Sequence, residues 1–222
     1  MERMFDVAAV LGRLAGALAP RLCAGCGSAA AADVCAACVE RMTAMPVPAA
    51  RRVGERQLRA AFVYAGPARE GVLAAKYRGR HRAMRIVAAV AAERLAPALA
   101  AAAPHPVAVV PVPLARRRRR SRGYNQAELA AAALARLPCG GPLDVRLLRR
   151  RETPPQVGRP AGARRRNVEG AFVWSGAPFR GAPGVWLVDD VATTGATLEA
   201  ASAALQRAGA GRIEFVAVCC AL

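Results

Sequence analysis

The segment that most constrains this chain runs from Gly184 to Leu198, Gly-Val-Trp-Leu-Val-Asp-Asp-Val-Ala-Thr-Thr-Gly-Ala-Thr-Leu. Val185 to Val188 is a short, apolar, partly β-branched run, and Thr197 to Ala208 has the composition of a helix, so the residues between them form a strand-to-helix turn. A second apolar run follows near the C-terminus. Asp189 and Asp190 stand at the C-terminal end of the predicted strand, where α/β sheets bind their ligands. Thr193, Thr194, Gly195, Ala196 and Thr197 then open the helix, so backbone N–H groups and the positive end of the helix dipole face whatever lies above the strand. Carboxylates suit sugar hydroxyls or a hydrated cation, and a helix N-terminus flanked by threonines suits a phosphate. Together they describe a ribose 5-phosphate held at both ends.

Other phosphate-binding patterns are excluded. No G-x-x-x-x-G-K-[ST] occurs, and Gly209-Ala210-Gly211 follows a helix rather than a strand, which rules out a dinucleotide fingerprint there. The 222 residues, 55% of them hydrophobic, suffice for one full α/β core with a small appendage. A formal net charge of +18 favours anionic partners, whether phosphorylated small molecules, nucleic acid or an acidic surface. Nearly all of that charge is arginine. Lys76 is the sole lysine, and Asn125 and Asn167 are the sole asparagines, which draws attention to all three.

At the N-terminus, Phe5, Val7, Val10, Leu11, Leu14 and Leu18 recur at helical spacing, which predicts an amphipathic helix over 1–20. Arg13 interrupts what would be the apolar core of a signal peptide. No uninterrupted apolar run reaches the ~18 residues a membrane span requires. The Ala-rich tract near Ala88–Ala103 carries Glu93 and Arg94 and reads as a helix of a soluble protein. Four of the seven cysteines form a tandem C-x-x-C pair, Cys23/Cys26 and Cys35/Cys38. Each C-x-x-C can present two thiolates to one ion, with Gly27 supplying backbone freedom after the first pair, and two such turns complete a tetrahedral Zn2+ site. Two disulfides or a redox pair are the rival readings. They fit a secreted chain or a thioredoxin-like βαβ surround, and neither is indicated. The expected location is therefore cytoplasmic. Cys139, Cys219 and Cys220 lack ligand spacing and read as loop and core thiols.

Pro46 and Pro48 mark a linker over 42–53, dividing the chain into a four-cysteine zinc module with its leading helix (1–45) and a larger α/β domain (46–222). Within the latter, Leu58–Tyr64 reads as a strand, Pro67–Tyr77 and Met84–Ala103 as helices, and Val107–Pro113 as a strand. Lys76 lies at the end of its helix, where the dipole favours a cation. Arg116 to Arg120 follow the second strand, and Ser121-Arg122-Gly123-Tyr124-Asn125-Gln126 opens another Ala-rich helix. An arginine run is ordinarily a solvated face or a nucleic-acid patch, but its place between a strand and a helix start also suits a pyrophosphate. The clusters Arg149-Arg150-Arg151-Glu152-Thr153-Pro154-Pro155-Gln156 and Arg164-Arg165-Arg166-Asn167-Val168 bracket a Pro/Gly-rich loop suited to a lid, ahead of a strand over Val168–Trp174.

The Asp-Asp-Val-x-Thr-Thr-Gly-x-Thr segment resembles the binding motif for phosphoribosyl pyrophosphate (PRPP) in type I phosphoribosyltransferases. The paired C-x-x-C, the Pro-Val-Pro-Leu and Arg-Gly-Tyr-Asn-Gln segments and the arginine-rich middle extend the likeness: from about Pro20 to the C-terminus the chain resembles the ComF family. The resemblance implies a parallel sheet flanked by helices with a small zinc-ribbon module. It implies PRPP contacts at Asp189, Asp190, Ala192, Thr193, Thr194, Gly195, Ala196 and Thr197, with the two aspartates as catalytic groups and Mg2+ entering with PRPP. Lys76, Arg116, Arg122, Asn125, Gln156, Arg166 and Asn167 are candidate pyrophosphate or loop contacts, and Cys23, Cys26, Cys35 and Cys38 candidate zinc ligands. It also implies a link to DNA uptake, with single-stranded DNA and other competence proteins as partners. A phosphoribosyl transfer enzyme and a non-enzymatic PRPP sensor or single-strand binder are both consistent with these residues, although aromatics at 5% weaken a stacking platform.

Overall fold

The computed structural model describes residues 21–102, 106–150, 170–181 and 183–221. In chain order the elements are α1 (Ala36–Ala44), β1 (Arg51–Val53), β2 (Arg56–Val63), α2 (Gly66–Tyr77), α3 (His81–Ala101), β3 (Ala108–Pro111), α4 (Arg116–Arg122), α5 (Gln126–Leu134), β4 (Leu147–Arg149), β5 (Phe172–Trp174), β6 (Val185–Ala192), α6 (Ala196–Arg207) and β7 (Ile213–Cys220). The helix expected over 1–20 and the loop between the arginine clusters, 157–163, expected as a lid, lie outside the described residues.

Five strands form the main sheet in the order β1-β2-β7-β6-β3. β2, β7, β6 and β3 run parallel, and β1 is an antiparallel edge strand. β7 lies between β6 and β2 and is buried along its whole length, which explains why Ile213–Cys220 is so apolar. One face of the sheet packs on α2, α3 and α5 through Phe62, Val72, Met84, Val87, Leu95, Val109, Trp186, Val188 and Val216. The other packs on α6 and the small antiparallel β4–β5 pair through Leu58, Val110, Leu147, Phe172, Leu187, Leu198, Leu205 and Phe215. Trp186 and Val188 on one side against Val185 and Leu187 on the other follow from the period-2 alternation of a strand. The fold is thus mixed α/β, with a mostly parallel sheet flanked by helices and a cysteine cluster near the N-terminus.

Several boundaries differ from expectation. The presumed linker contains β1, which turns through Gly54 and Glu55 into β2. Gly54 sits at φ +58°, a conformation that a hairpin turn needs and glycine supplies. The arginine run is itself helical, as α4, which ends where Gly123 adopts φ +76° and its N–H bonds back to the Arg119 carbonyl. Of the strand expected over Val168–Trp174, the described part pairs with β4 only over Phe172–Trp174. Cys139, Cys219 and Cys220 are buried and free, as their spacing suggested.

Candidate functional site

The candidate site gathers at the C-terminal ends of the parallel strands. β6 continues two residues beyond the aspartates, with Val191 and Ala192 paired to Cys219 and Cys220 of β7. Asp189 and Asp190 therefore lie within the strand, and alternation separates their side chains. Asp190, 7% exposed, turns toward α2, where Lys76 Nζ meets its Oδ1 at 2.9 Å. Asp189 lines a small polar cavity of about 70 Å³ with Val191, Thr193, Thr194 and the first turn of α6. Its Oδ1 accepts the Asp190 backbone N–H at 2.8 Å.

The environment shifts both partners of this group. Burial, then the charge of Asp190, pushes the Asp189 carboxyl up to about 7, against the smaller opposing pull of Lys76 and Arg149. Burial works against the Lys76 ammonium. The charge and hydrogen bond of Asp190, with Asp189 and Tyr64 behind it, outweigh that penalty and hold its pKa above the ordinary lysine value. Lys76 is therefore a fixed cation inside the site.

Beyond Ala192 the chain bends through Thr193, Thr194 and Gly195 before α6 begins. Gly195 adopts φ +81°, and a Cβ there would stand 2.3 Å from Val53 Cγ1. Only glycine lets the loop close against the β1–β2 hairpin. The Thr194 Oγ1 accepts the Ala196 N–H at 3.4 Å. The remaining N–H groups at the start of a helix have no partner within it, so α6 offers donors toward the cavity. From the hairpin, the Arg51 guanidinium donates to the Thr193 carbonyl. Ala192 and Ala196 are buried and Thr193 is exposed, while Thr194 and Thr197 are half-buried. Ala192, Thr193, Thr194, Gly195, Ala196 and Thr197 all line the same cavity as Asp189.

A second group approaches from α4 and α5. Arg122 lies over the Tyr77 ring at 5.6 Å and donates to Gln126 Oε1 at 3.3 Å, and the Tyr124 hydroxyl donates to the Ala75 carbonyl. Arg122 is thereby placed one residue along from Lys76, against Tyr77. Asn125 has both ends of its amide engaged in the fold: Nδ2 donates to the Val112 carbonyl at 2.9 Å, and Oδ1 caps α5 by accepting the Ala127 N–H at 3.1 Å. Arg116 is exposed at the start of α4. Gln156, Arg166 and Asn167 lie outside the described residues.

Sequence passes over Arg51 and names Arg149 only as part of an arginine cluster. Arg51 was hidden in an apparent linker, although the two-residue Gly54-Glu55 turn before an alternating run is a hairpin signal that could have exposed it. Arg149 ends β4, near enough to lower the Asp189 carboxyl, and its guanidinium lies over Phe172 at 5.4 Å.

The cysteine cluster forms a separate centre. The thiols of Cys23, Cys26, Cys35 and Cys38 all lie within 4.8 Å of one another, and Cys26 and Cys35 stand 3.8 Å apart. Four sulfurs at a Zn–S distance of about 2.3 Å on a tetrahedron are about 3.8 Å apart, so the cluster has the dimensions to hold such an ion. Backbone N–H groups of Gly25 and Cys35 donate to Cys23 Sγ at 3.3 and 3.2 Å. Burial raises the Cys23 pKa, but these and the Cys26 N–H outweigh it and bring the thiol down to about 6, which favours the ligating thiolate. Gly27 takes φ +78° after the first C-x-x-C. No disulfide joins any of the cysteines.

No helix among the described residues is long and apolar enough to cross a membrane. No protein-family profile matches the chain, and no curated protein is significantly similar to it.

Proposed function

We propose that this chain binds PRPP through the β6–α6 turn and acts as a phosphoribosyltransferase of the ComF type, with a structural Zn2+ on Cys23, Cys26, Cys35 and Cys38. The observation that carries the reading is the shared cavity: a carboxylate, Asp189, and a hydroxyl-lined helix N-terminus, Thr193–Thr197, face the same space. The loop N–H groups and the Thr194 hydroxyl would receive the 5-phosphate, and Asp189 the ribose hydroxyls. Lys76, with Arg122 beside Tyr77, would draw the diphosphate. Mg2+ carried by the diphosphate would neutralise part of its charge. As pyrophosphate leaves C1, positive charge would develop on the sugar, and Asp189 beside it would lower the cost of that charge.

Thermal melts with PRPP and Mg2+ test the reading. Binding to the native state alone raises stability as ligand exceeds its Kd, so the parent protein should melt higher. Thr194→Val preserves shape but removes a hydroxyl whose bond to a charged phosphate is worth about 1.5–3 kcal/mol, roughly a tenfold to hundredfold weaker Kd. Asp189→Asn should likewise lose most of the protection. No protection of the parent, or equal protection of both variants, would refute the PRPP site.

A second reading, a PRPP-sensing or single-strand-binding protein without turnover, is favoured by α4, a seven-residue helix in which every residue but Ser121 is arginine. Pyrophosphate release in the presence of nucleobases separates the two. Release marks a transferase, and binding without release marks the sensor.

A further inference from the structure

The acid pair is not arranged to clamp a metal ion. Strand alternation directs Asp189 to the cavity and Asp190 toward α2, and each has one oxygen already engaged: Asp189 Oδ1 by the Asp190 N–H at 2.8 Å, Asp190 Oδ1 by Lys76 at 2.9 Å. The Lys76–Asp190 pair is largely withdrawn from water, with side-chain exposures of 17% and 10%. Its geometry is held from several sides. Lys76 closes the last turn of α2, and the neighbouring Ala75 carbonyl is tied to Tyr124. A hard divalent ion needs several oxygens around it, and the ammonium stands where one of them would have to be offered.

We propose that Lys76 is the resident cation of this site, filling on Asp190 the place a divalent ion would take, so that phosphoribosyl ligands without a diphosphate bind here with no metal. The inference rests on the PRPP reading for the ligand and deepens it. The site accepts sugar phosphates such as ribose 5-phosphate or a nucleoside monophosphate in the absence of Mg2+. The ion is needed only where a diphosphate brings it. Asp190 then has a supporting part, fixing Lys76 beside the aspartate pair, while Asp189 is the carboxylate that meets the sugar.

Two measurements on the full chain test this. In the first, ribose 5-phosphate is titrated calorimetrically in EDTA at a concentration that leaves the melting curve unchanged, and again in excess Mg2+. The wild-type Kd should agree within about twofold between the two conditions, whereas Lys76→Gln should bind about tenfold or more weakly in EDTA and regain affinity with Mg2+, since a removed unit charge at this distance must be replaced. In the second, Mn2+ alone is added and followed by paramagnetic resonance. Wild type should show no ion that Asp190→Asn abolishes, and Lys76→Gln should gain one. Mg2+-dependent ribose 5-phosphate binding by wild type, or an Asp190-dependent Mn2+ site in wild type, overturns the proposal even if Lys76→Gln does not fold. Binding of PRPP–Mg2+ without any ribose 5-phosphate binding also overturns it and spares the PRPP site. If neither ligand binds, the PRPP reading falls, and the Mn2+ result alone decides whether Lys76 is the resident cation.

Discussion

Replacing Gly195 by alanine probes how the β6–α6 loop is built. Two costs are legible in the structure. At φ +81° a residue with a Cβ incurs roughly 1 kcal/mol of backbone strain. The new methyl would also stand 2.3 Å from Val53 Cγ1 and 3.0 Å from Cγ2, where carbon atoms at rest lie about 3.5–4.0 Å apart. Val53 is 4% exposed and β-branched, so it has little freedom to swing aside, and such overpacking costs about 1–3 kcal/mol. The expected loss is about 2–4 kcal/mol, or roughly 5–15 °C in Tm for a chain of this length. Urea melts followed by circular dichroism measure it. Val53→Ala opens space for the methyl without relieving φ, so a double-mutant cycle should return about 1–2 kcal/mol of favourable coupling. A Gly195→Ala protein within ~0.5 kcal/mol of wild type, or strict additivity with Val53→Ala, would show that the hairpin does not brace the loop.

Burial, with the charge of Asp190 beside it, pushes the Asp189 carboxyl up from its ordinary 3.8 to about 7. A raised folded-state pKa stabilises the protein below the unfolded value and loses that contribution as pH rises through the folded one, so Asp189→Asn should gain relative to wild type from about pH 4 to 7, by up to about 1.4 kcal/mol per pH unit, and a difference flat with pH would refute the assignment. Metal analysis should find close to one zinc per chain, and chelation should unfold the four-cysteine module, because a structural site of this type contributes on the order of 10 kcal/mol to folding; a metal-free protein with its N-terminus intact would refute it. If α4 grips nucleic-acid backbone, neutralising Arg116 to Arg120 should flatten the salt dependence of single-strand binding by about one unit or less per lost phosphate contact. Arg119, already paired with Glu128, should contribute least to that change.

What sequence revealed and what it hid follow from the range of the interactions. The β6–α6 turn was legible because its meaning is local: a strand, its acids, its threonines and its helix are contiguous, and the same residues line the cavity. The cysteine cluster was legible because two C-x-x-C turns bring four thiols within reach with little help from elsewhere. The partition of the aspartates was less visible. Period-2 alternation implies that neighbours diverge, but that Asp190 would find Lys76 depended on how α2 crosses the sheet. Asn125 drew attention by its rarity, yet its buried amide is engaged with Val112 and Ala127, a role set by the path of the chain after β3. β1 was concealed by Pro46 and Pro48 just ahead of it, which made a short edge strand look like the tail of a linker. The arginine run carries no apolar periodicity, so sequence offers a charged face or a phosphate site between a strand and a helix start and no element of its own. Its helix is short, is closed by Gly123, and has Arg119 compensated by Glu128.

The cysteine cluster bears on the site through α2. Its first turn packs Gly25 so closely on α2 that a Cβ there would meet Pro67 at 3.2 Å, and Cys38 Sγ at 2.8 Å. Just beyond the other end of α2, Arg80 donates to Asp33 Oδ1 at 3.0 and 3.2 Å and to the Asp33 carbonyl at 3.3 Å. Arg94 of α3 donates to the Thr43 and Met45 carbonyls at the C-terminal end of α1 and lies over Phe62 of β2 at 5.1 Å. Cys23, Val34, Cys38 and Met42 join the same apolar cluster as Phe62 and Val72. The module thus grips the helix whose last turn carries Lys76 at both of its ends. On the proposed reading, chelation that unfolds the module removes these restraints together, so loss of zinc should weaken ligand binding at the β6–α6 turn although none of Cys23, Cys26, Cys35 and Cys38 lines its cavity.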